Sequence, residues 1–248
     1  LKWGGNTNFG WRAPYDNLKA TYNEGSKSDA TDDKASYVYG QKEVWYLNSI
    51  ESKTMIATFV LDTAVRKDGY GVSGEDGGRD NNAALKRLKE INLYSKSDYY
   101  KNPLKARPVK TVKFYYSYSL CTGSESSLSG YGKLTLDSLA FSYNGNKRSE
   151  KNKYRFAYNN NPAYNSKNND RWGSYKPETD NPGSQLNADY PYAVQNKTKA
   201  DANAAAWNLT KITLPGGAKM SIDYESDDYG YVQDKRAMAM TKIAGMGN

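Results

Sequence analysis

Tyrosine outnumbers every other large apolar-bodied residue in this chain: 23 of 248 positions are Tyr, whereas Leu, Ile, Val and Phe together fill only 36. At about 15% of the chain those four fall below the share that builds an ordinary globular core, a composition that signals disorder when net charge is also high. Net charge is not high here, since 35 Lys and Arg stand against 27 Asp and Glu for a formal +8. The 23 Tyr and 5 Trp must therefore supply much of the buried surface. A tyrosine ring suits the half-buried face of a β-sheet, with its hydroxyl turned to water or to a hydrogen-bond partner. A lean core built on strands is expected.

The chain has no histidine, and Cys121 is its only cysteine. Ser-His-Asp and Cys-His nucleophile systems, histidine metal sites and a side chain titrating near neutrality are excluded from these residues. A single cysteine also excludes an internal disulfide framework and a thiolate zinc site. Cys121 is expected to pack as a small apolar residue at a strand end. No cofactor is expected, and no stretch is apolar enough for a membrane helix, so membrane insertion by this segment is not expected. The sequence starts at Leu1 without Met or a leader-like segment, which reads as a window from a longer polypeptide. The remaining domains of that parent are then its first expected partners.

Residues 1–36 are rich in Gly, Asn, Asp and Ser, with Trp3, Phe9, Trp11, Tyr15 and Tyr22 spaced among them, and read as an irregular loop region with aromatic anchors. Residues 37–248 read as one β-rich segment. Strand-like runs at Tyr37–Tyr39, Glu43–Glu51 and Thr54–Leu61 precede a Gly-rich acidic insert at 68–82. Ala83–Glu90 has helical character, while Leu88, Ile91 and Leu93 equally open a strand. Val109–Leu120 alternates Thr111, Lys113, Tyr115 and Ser117 against Val112, Phe114, Tyr116 and Tyr118, a strand with one wetter face. Gly132–Tyr143 and Lys153–Tyr158 form another candidate pair, followed by an Asn-, Pro- and Gly-rich insert at 159–205. Trp207–Leu214 and Lys219–Glu225 flank Pro215-Gly216-Gly217 and read as a hairpin.

Lining up these runs exposes a loose internal repeat. A Leu-x-x-Ile/Leu step leads each time to an aromatic or β-branched strand: Leu47/Ile50 to Phe59, Leu88/Ile91 to Phe114, Leu136/Leu139 to Phe156, and Leu209/Ile212 to Ile222. The steps start at uneven intervals, which disfavours a strict solenoid. The pattern fits an all-β, mainly antiparallel fold in which consecutive hairpins add to one extended, curved sheet with long loops and at most one or two short helices.

Several strings also occur together: Glu43-Val44-Trp45-Tyr46-Leu47, Arg66-Lys67-Asp68-Gly69-Tyr70-Gly71-Val72, Lys110-Thr111-Val112-Lys113-Phe114, Gly132-Lys133-Leu134-Thr135-Leu136, Asp170-Arg171-Trp172-Gly173, Ala206-Trp207-x-Leu209, and Asp223-Tyr224-Glu225-Ser226-Asp227-Asp228-Tyr229. Over roughly residues 40–240 they resemble very large Bacteroidetes proteins similar to RHS/YD-repeat proteins. The resemblance implies a sheet strip that grows hairpin by hairpin, a secreted or cell-surface location, and a structural or encapsulating role without catalysis in this window. The chain carries neither a Tyr-Asp repeat at fixed spacing nor a self-cleaving core motif.

Three clusters carry candidate chemistry. Glu75, Asp76 and Asp80 offer hard oxygens on a Gly-rich loop, as calcium sites do, but without EF-hand ligand order and with Arg79 among them, so a solvated turn accounts for them more simply. Asp223, Glu225, Asp227 and Asp228 surround Tyr224 and Tyr229, and on one strand face Asp223 and Glu225 would stand roughly 7 Å apart. That spacing permits a glycoside hydrolase pair, yet any exposed strand face shows it. Asp170, Arg171, Trp172 and Tyr175 combine a carboxylate, a planar cation and rings. They either pin a loop through an Asp-Arg pair packed on Trp or form a sugar-stacking platform, making surface glycan or protein the alternative partner. Lys and Arg are interspersed with Asp and Glu rather than gathered in a block, so nucleic-acid binding is not expected, and the Lys147–Lys153 cluster reads as a solvated hairpin tip.

Overall fold

A computed structural model of the chain describes residues 1–13, 38–72, 78–124, 127–146, 150–194, 196–227, 231–232 and 235–236. Nine strands form one sheet whose spatial order follows the chain. They are β1 (Lys2–Ala13), β2 (Val38–Glu51), β3 (Met55–Leu61), β6 (Leu88–Ser95), β7 (Lys110–Leu120), β8 (Lys133–Tyr143), β9 (Tyr154–Ala157), β10 (Lys211–Thr213) and β11 (Lys219–Ser221). Every neighbouring pair is antiparallel. Between β3 and β6 the chain leaves the sheet to make a ribbon of β4 (Tyr70–Val72) and β5 (Arg79–Ala84). A separate short hairpin pairs β12 (Tyr231–Val232) with β13 (Lys235–Arg236). The α-helices are short: α1 (Lys96–Lys101) and α2 (Lys197–Ala204). Among the described residues no helix is long and apolar enough to cross a membrane.

The four repeated steps of the sequence are hydrogen-bonded strand pairs: β2 with β3, β6 with β7, β8 with β9, and β10 with β11. Their register explains the lean composition. Phe59, Ile91, Val112 and Phe141 stand opposite one another across β3, β6, β7 and β8, while the adjacent row is Thr58, Asn92, Thr111 and Ser142. Neighbours along a strand point to opposite faces, so one side of the sheet is apolar and the other carries small polar groups. Thr111 Oγ1 donates to Asn92 Oδ1 at 2.7 Å, which satisfies part of that polar row. Among the described residues only Ile56, Tyr70, Ala83, Cys121, Ala140 and Ala206 are buried hydrophobics, and three of the six are alanine.

Tyrosines complete the packing by reaching partners that leucine cannot engage. The Tyr118 hydroxyl accepts from Lys67 N and Arg87 Nη1, Tyr46 accepts from Lys86 N, and Tyr158 and Tyr224 donate to the carbonyls of Leu136 and Leu209. Rings thus cover the sheet while their hydroxyls tie excursions and neighbouring strands to it.

Residues 2–13, expected as irregular loop, are instead strand β1, paired along its length with β2. Its glycines concealed this because glycine is a poor strand former. They have local reasons: Gly5 takes φ +72° within a bulge between Trp3 and Asn6, and a Cβ at Gly10 would collide with the Val72 carbonyl of β4. Residues 14–37 lie outside the described residues. The 68–82 insert contributes β4 and part of β5, and Ala83–Glu90 resolves as the end of β5 and the start of β6 rather than a helix.

The second insert runs from Tyr158 to Thr210 and returns beside its own origin, since Lys211 pairs with Ala157. Asn161 fastens it to the far end of β7, accepting from Cys121 N at 2.7 Å and donating to the Ser119 carbonyl at 2.9 Å. Cys121 is fully buried there, and burial pushes its thiol pKa up.

The β3–β6 excursion is held by charge. Asp68 is buried, pairs with Arg66 Nε at 2.7 Å, and accepts from Leu134 N at 2.7 Å. Asp68→Asn is expected to lower stability by about 2 kcal/mol, because an amide cannot neutralise Arg66; urea denaturation should show this, with exposed Asp223→Asn near neutral. Asp62, bonded to Ala64 N and paired with Arg87 at 2.6 Å, is held below the usual carboxylate pKa despite the opposing effect of burial. Its contribution is present above the unfolded pKa and lost as pH falls through the lower folded value. Asp62→Asn should flatten that acid limb in pH-dependent melting.

Candidate functional site

The 158–210 insert has a polar interior of its own. Lys176 is 1% exposed, and its ammonium donates to the carbonyls of Tyr190 and Tyr192 at 2.8 and 2.6 Å. Asn187 Nδ2 donates to the Lys167 and Lys176 carbonyls, while Asn181 Nδ2 reaches Asn187 Oδ1 and the Gln185 carbonyl. Buried polar groups repay desolvation only when so paired. Burial still pushes the Lys176 pKa down, against the upward pull of Asp170 and Asp180.

Asp170 does pin a loop, though not through Arg171. Its Oδ1 accepts from the backbone N–H groups of Trp172 and Ser174 at 2.9 and 3.0 Å, closing a turn in which Gly173 has φ +83°. The expected Asp-Arg pair packed on Trp is not formed, because the carboxylate is engaged by its own turn. The Arg171 side chain is exposed, and its backbone N–H donates to the Pro191 carbonyl at 2.8 Å. Trp172 is 65% exposed.

Tyr175 leaves this group. It packs edge-on against Trp207 with ring centroids 5.0 Å apart, and the Trp207 indole N–H donates to the Pro162 carbonyl. Burial pushes the Tyr175 pKa up. In its place the fold brings Tyr190 and Tyr192 next to the Asp170 turn. Tyr192 is 52% exposed and its ring stands edge-on to Tyr190. Sequence reasoning missed both; the signal was the Tyr-Pro-Tyr string at 190–192, whose nearness to Trp172 depends on a long-range contact.

The acidic cluster is open. Asp223, Glu225 and Asp227 are exposed while Ile222, Tyr224 and Ser226 turn inward, so the carboxylates share one face rather than facing each other across a cleft. Asp223 borders a depression of about 340 Å³ whose lining includes Asp201, Lys211 and Tyr224. Asp201 is already engaged, accepting from Ser226 N at 2.9 Å and from Lys197 at 3.3 Å. Those contacts, the Ser226 N–H foremost, hold its pKa below the usual carboxylate range. Neither Asp223 nor Glu225 has the enclosed apolar setting that makes a general acid. Asp228 lies outside the described residues.

Glu75 and Asp76 of the candidate calcium loop also lie outside the described residues. Asp80 accepts from Asn82 N within β5, and Arg79 stands over the Tyr70 ring with its centre 5.4 Å from the centroid. Among the described residues no three acidic or thiol groups converge as a metal site would need. Of the Lys147–Lys153 tip, residues 147–149 are outside the described set, and Glu150 pairs with Lys113 at 2.8 Å.

No protein-family model, curated protein or solved structure matches the chain.

Lys176→Met should leave the Tyr190 and Tyr192 carbonyls without a donor. Hydrogen exchange of the Arg171 amide is expected to accelerate about tenfold or more, while β7 and β8 amides stay protected. Because the folded Lys176 pKa is lowered, the unfolded state binds more protons between that value and the ordinary lysine range. Stability should therefore gain a rising increment with pH through that alkaline window, absent in Lys176→Met.

Proposed function

We propose that this chain is a non-catalytic scaffold segment of a large secreted or cell-surface RHS-like protein, and that its partners are the neighbouring parts of that polypeptide. The observation supporting this reading is the nine-stranded meander, whose end strands β1 and β11 each pair with a single sheet neighbour among the described residues, with β4 lying against β1 at Gly10. A self-contained sandwich or barrel covers or closes such edges, because unpaired N–H and C=O groups invite further strands. Here β11 is exposed throughout, with Met220 53% exposed. At the other end Trp3 and Trp45 lie near each other across β1 and β2, 58% and 52% exposed. Exposed rings on the end strands of a sheet suit a surface that packs against more sheet.

The meander order supports the RHS-like reading in a second way. Each strand is laid beside its predecessor, so a longer chain of the same design extends the sheet without rearranging what is already folded. The surface carboxylates fit solvation of such a strip better than hydrolysis. Association through the edges is expected when the chain is separated from its neighbours.

Sedimentation velocity at micromolar concentrations should show reversible self-association, reduced in Met220→Lys and Trp45→Lys. A chain that stays monomeric would overturn the reading. So would glycoside hydrolysis that disappears in Asp223→Asn or Glu225→Gln.

A further inference from the structure

We propose that the paired loops carrying Trp172 and Tyr192 form a binding platform for a polysaccharide that contains uronic acid residues. The bond from Arg171 N to the Pro191 carbonyl joins the two loops one residue before Trp172 and one residue before Tyr192. Both rings are more than half exposed. Each loop is fixed from beneath: the Asp170 carboxylate closes the first, and the buried Lys176 ammonium holds the carbonyls on both sides of Pro191 in the second. Ligand binding then need not order the loops, which removes a usual cost of association.

The ligand class follows from the chemistry on display. Two rings set among Asn169, Asp170, Arg171 and Ser174 are too small an apolar area for a stable protein interface, which buries about 800 Å² on each partner. The C–H-rich face of a pyranose is matched in size to one indole and stacks on the negative face of the ring. Arg171 is exposed, and its guanidinium has no hydrogen-bonded or paired partner among the described residues. Its planar fork matches a carboxylate two-point fashion, which selects a uronate over a neutral hexose. The formal +8 of the chain adds attraction for a polyanion. The platform uses residues of the insert and none of β1 or β11, so it stands or falls separately from the scaffold reading.

Isothermal titration of the full chain with hexagalacturonate, and in parallel with uncharged cellohexaose, tests the assignment. Saturable binding of the uronate is expected, weakening as salt rises. Trp172→Ala and Tyr192→Ala should each lower uronate affinity about tenfold with unchanged circular dichroism and melting. Arg171→Gln should remove the preference for uronate over cellohexaose, and Trp45→Ala should change nothing. Absence of binding to hexagalacturonate, equal affinity for the two sugars, or full affinity in Trp172→Ala would each overturn the proposal.

Discussion

The main-chain ladder between successive strands carries this fold, because the chain lacks the aliphatic side chains to build a second packed layer. In an ordinary sandwich or α/β domain, burying one sheet face against another element supplies most of the stability. Here nine strands are joined edge to edge, and the row that would be a deep core is Thr58, Asn92, Thr111 and Ser142. Small polar side chains tolerate that position because they bond across the strands, as Thr111 does to Asn92. The opposite row, Phe59, Ile91, Val112 and Phe141, is only half-buried. Cohesion therefore rests on keeping consecutive strands in register, since a one-residue slip would exchange the Phe59, Ile91, Val112 and Phe141 row with the polar one.

The same dependence explains which features were legible in the amino-acid sequence. Hairpins are local, so alternation and turn residues sufficed to pair β2 with β3, β8 with β9, and β10 with β11. β1 was hidden because its partner begins 25 residues after it ends and because Gly5 and Gly10 answer to a bulge and to the approach of β4. The Asp170 turn was half legible. An aspartate before Trp-Gly announces a pinned loop, but whether its carboxylate takes a guanidinium or backbone N–H groups is decided by turn geometry. Tyr175 and Tyr192 exchange roles for a reason no local pattern carries: Trp207, 32 positions on, captures Tyr175, whereas Lys176 draws the 190–192 strand of loop alongside Arg171.

Sheet and insert solve the shortage of aliphatics differently. The sheet relies on periodic main-chain bonds and half-buried rings. Among its described residues the insert has no such ladder beyond an isolated bridge, and instead gathers a lysine ammonium and two asparagine amides around backbone carbonyls. A network of this kind is directional, so it fixes loop shape more narrowly than a small apolar cluster would, at the cost of desolvating each group. That trade suits a segment that must hold particular side chains in place, and the exposed rings at Trp172 and Tyr192 sit on the loops so held.

The end strands of the sheet answer to the same economy. A strand whose buried row is small and polar and whose apolar row is half-buried gains little from hydrophobic burial, so an added neighbour contributes mainly through hydrogen bonds along the edge and through the cross-strand contacts that follow. Among the described residues β1 and β11 each have one sheet neighbour where an interior strand has two. β11 ends the sheet with three residues and a lysine, features that limit unwanted pairing. β1 runs for twelve residues with bulges, and offers a longer but irregular template that admits only a partner accommodating Gly5. The two ends differ in length, regularity and side chains, so a sheet extended from one is not interchangeable with a sheet extended from the other. In the scaffold reading proposed above, that asymmetry gives the strip a direction.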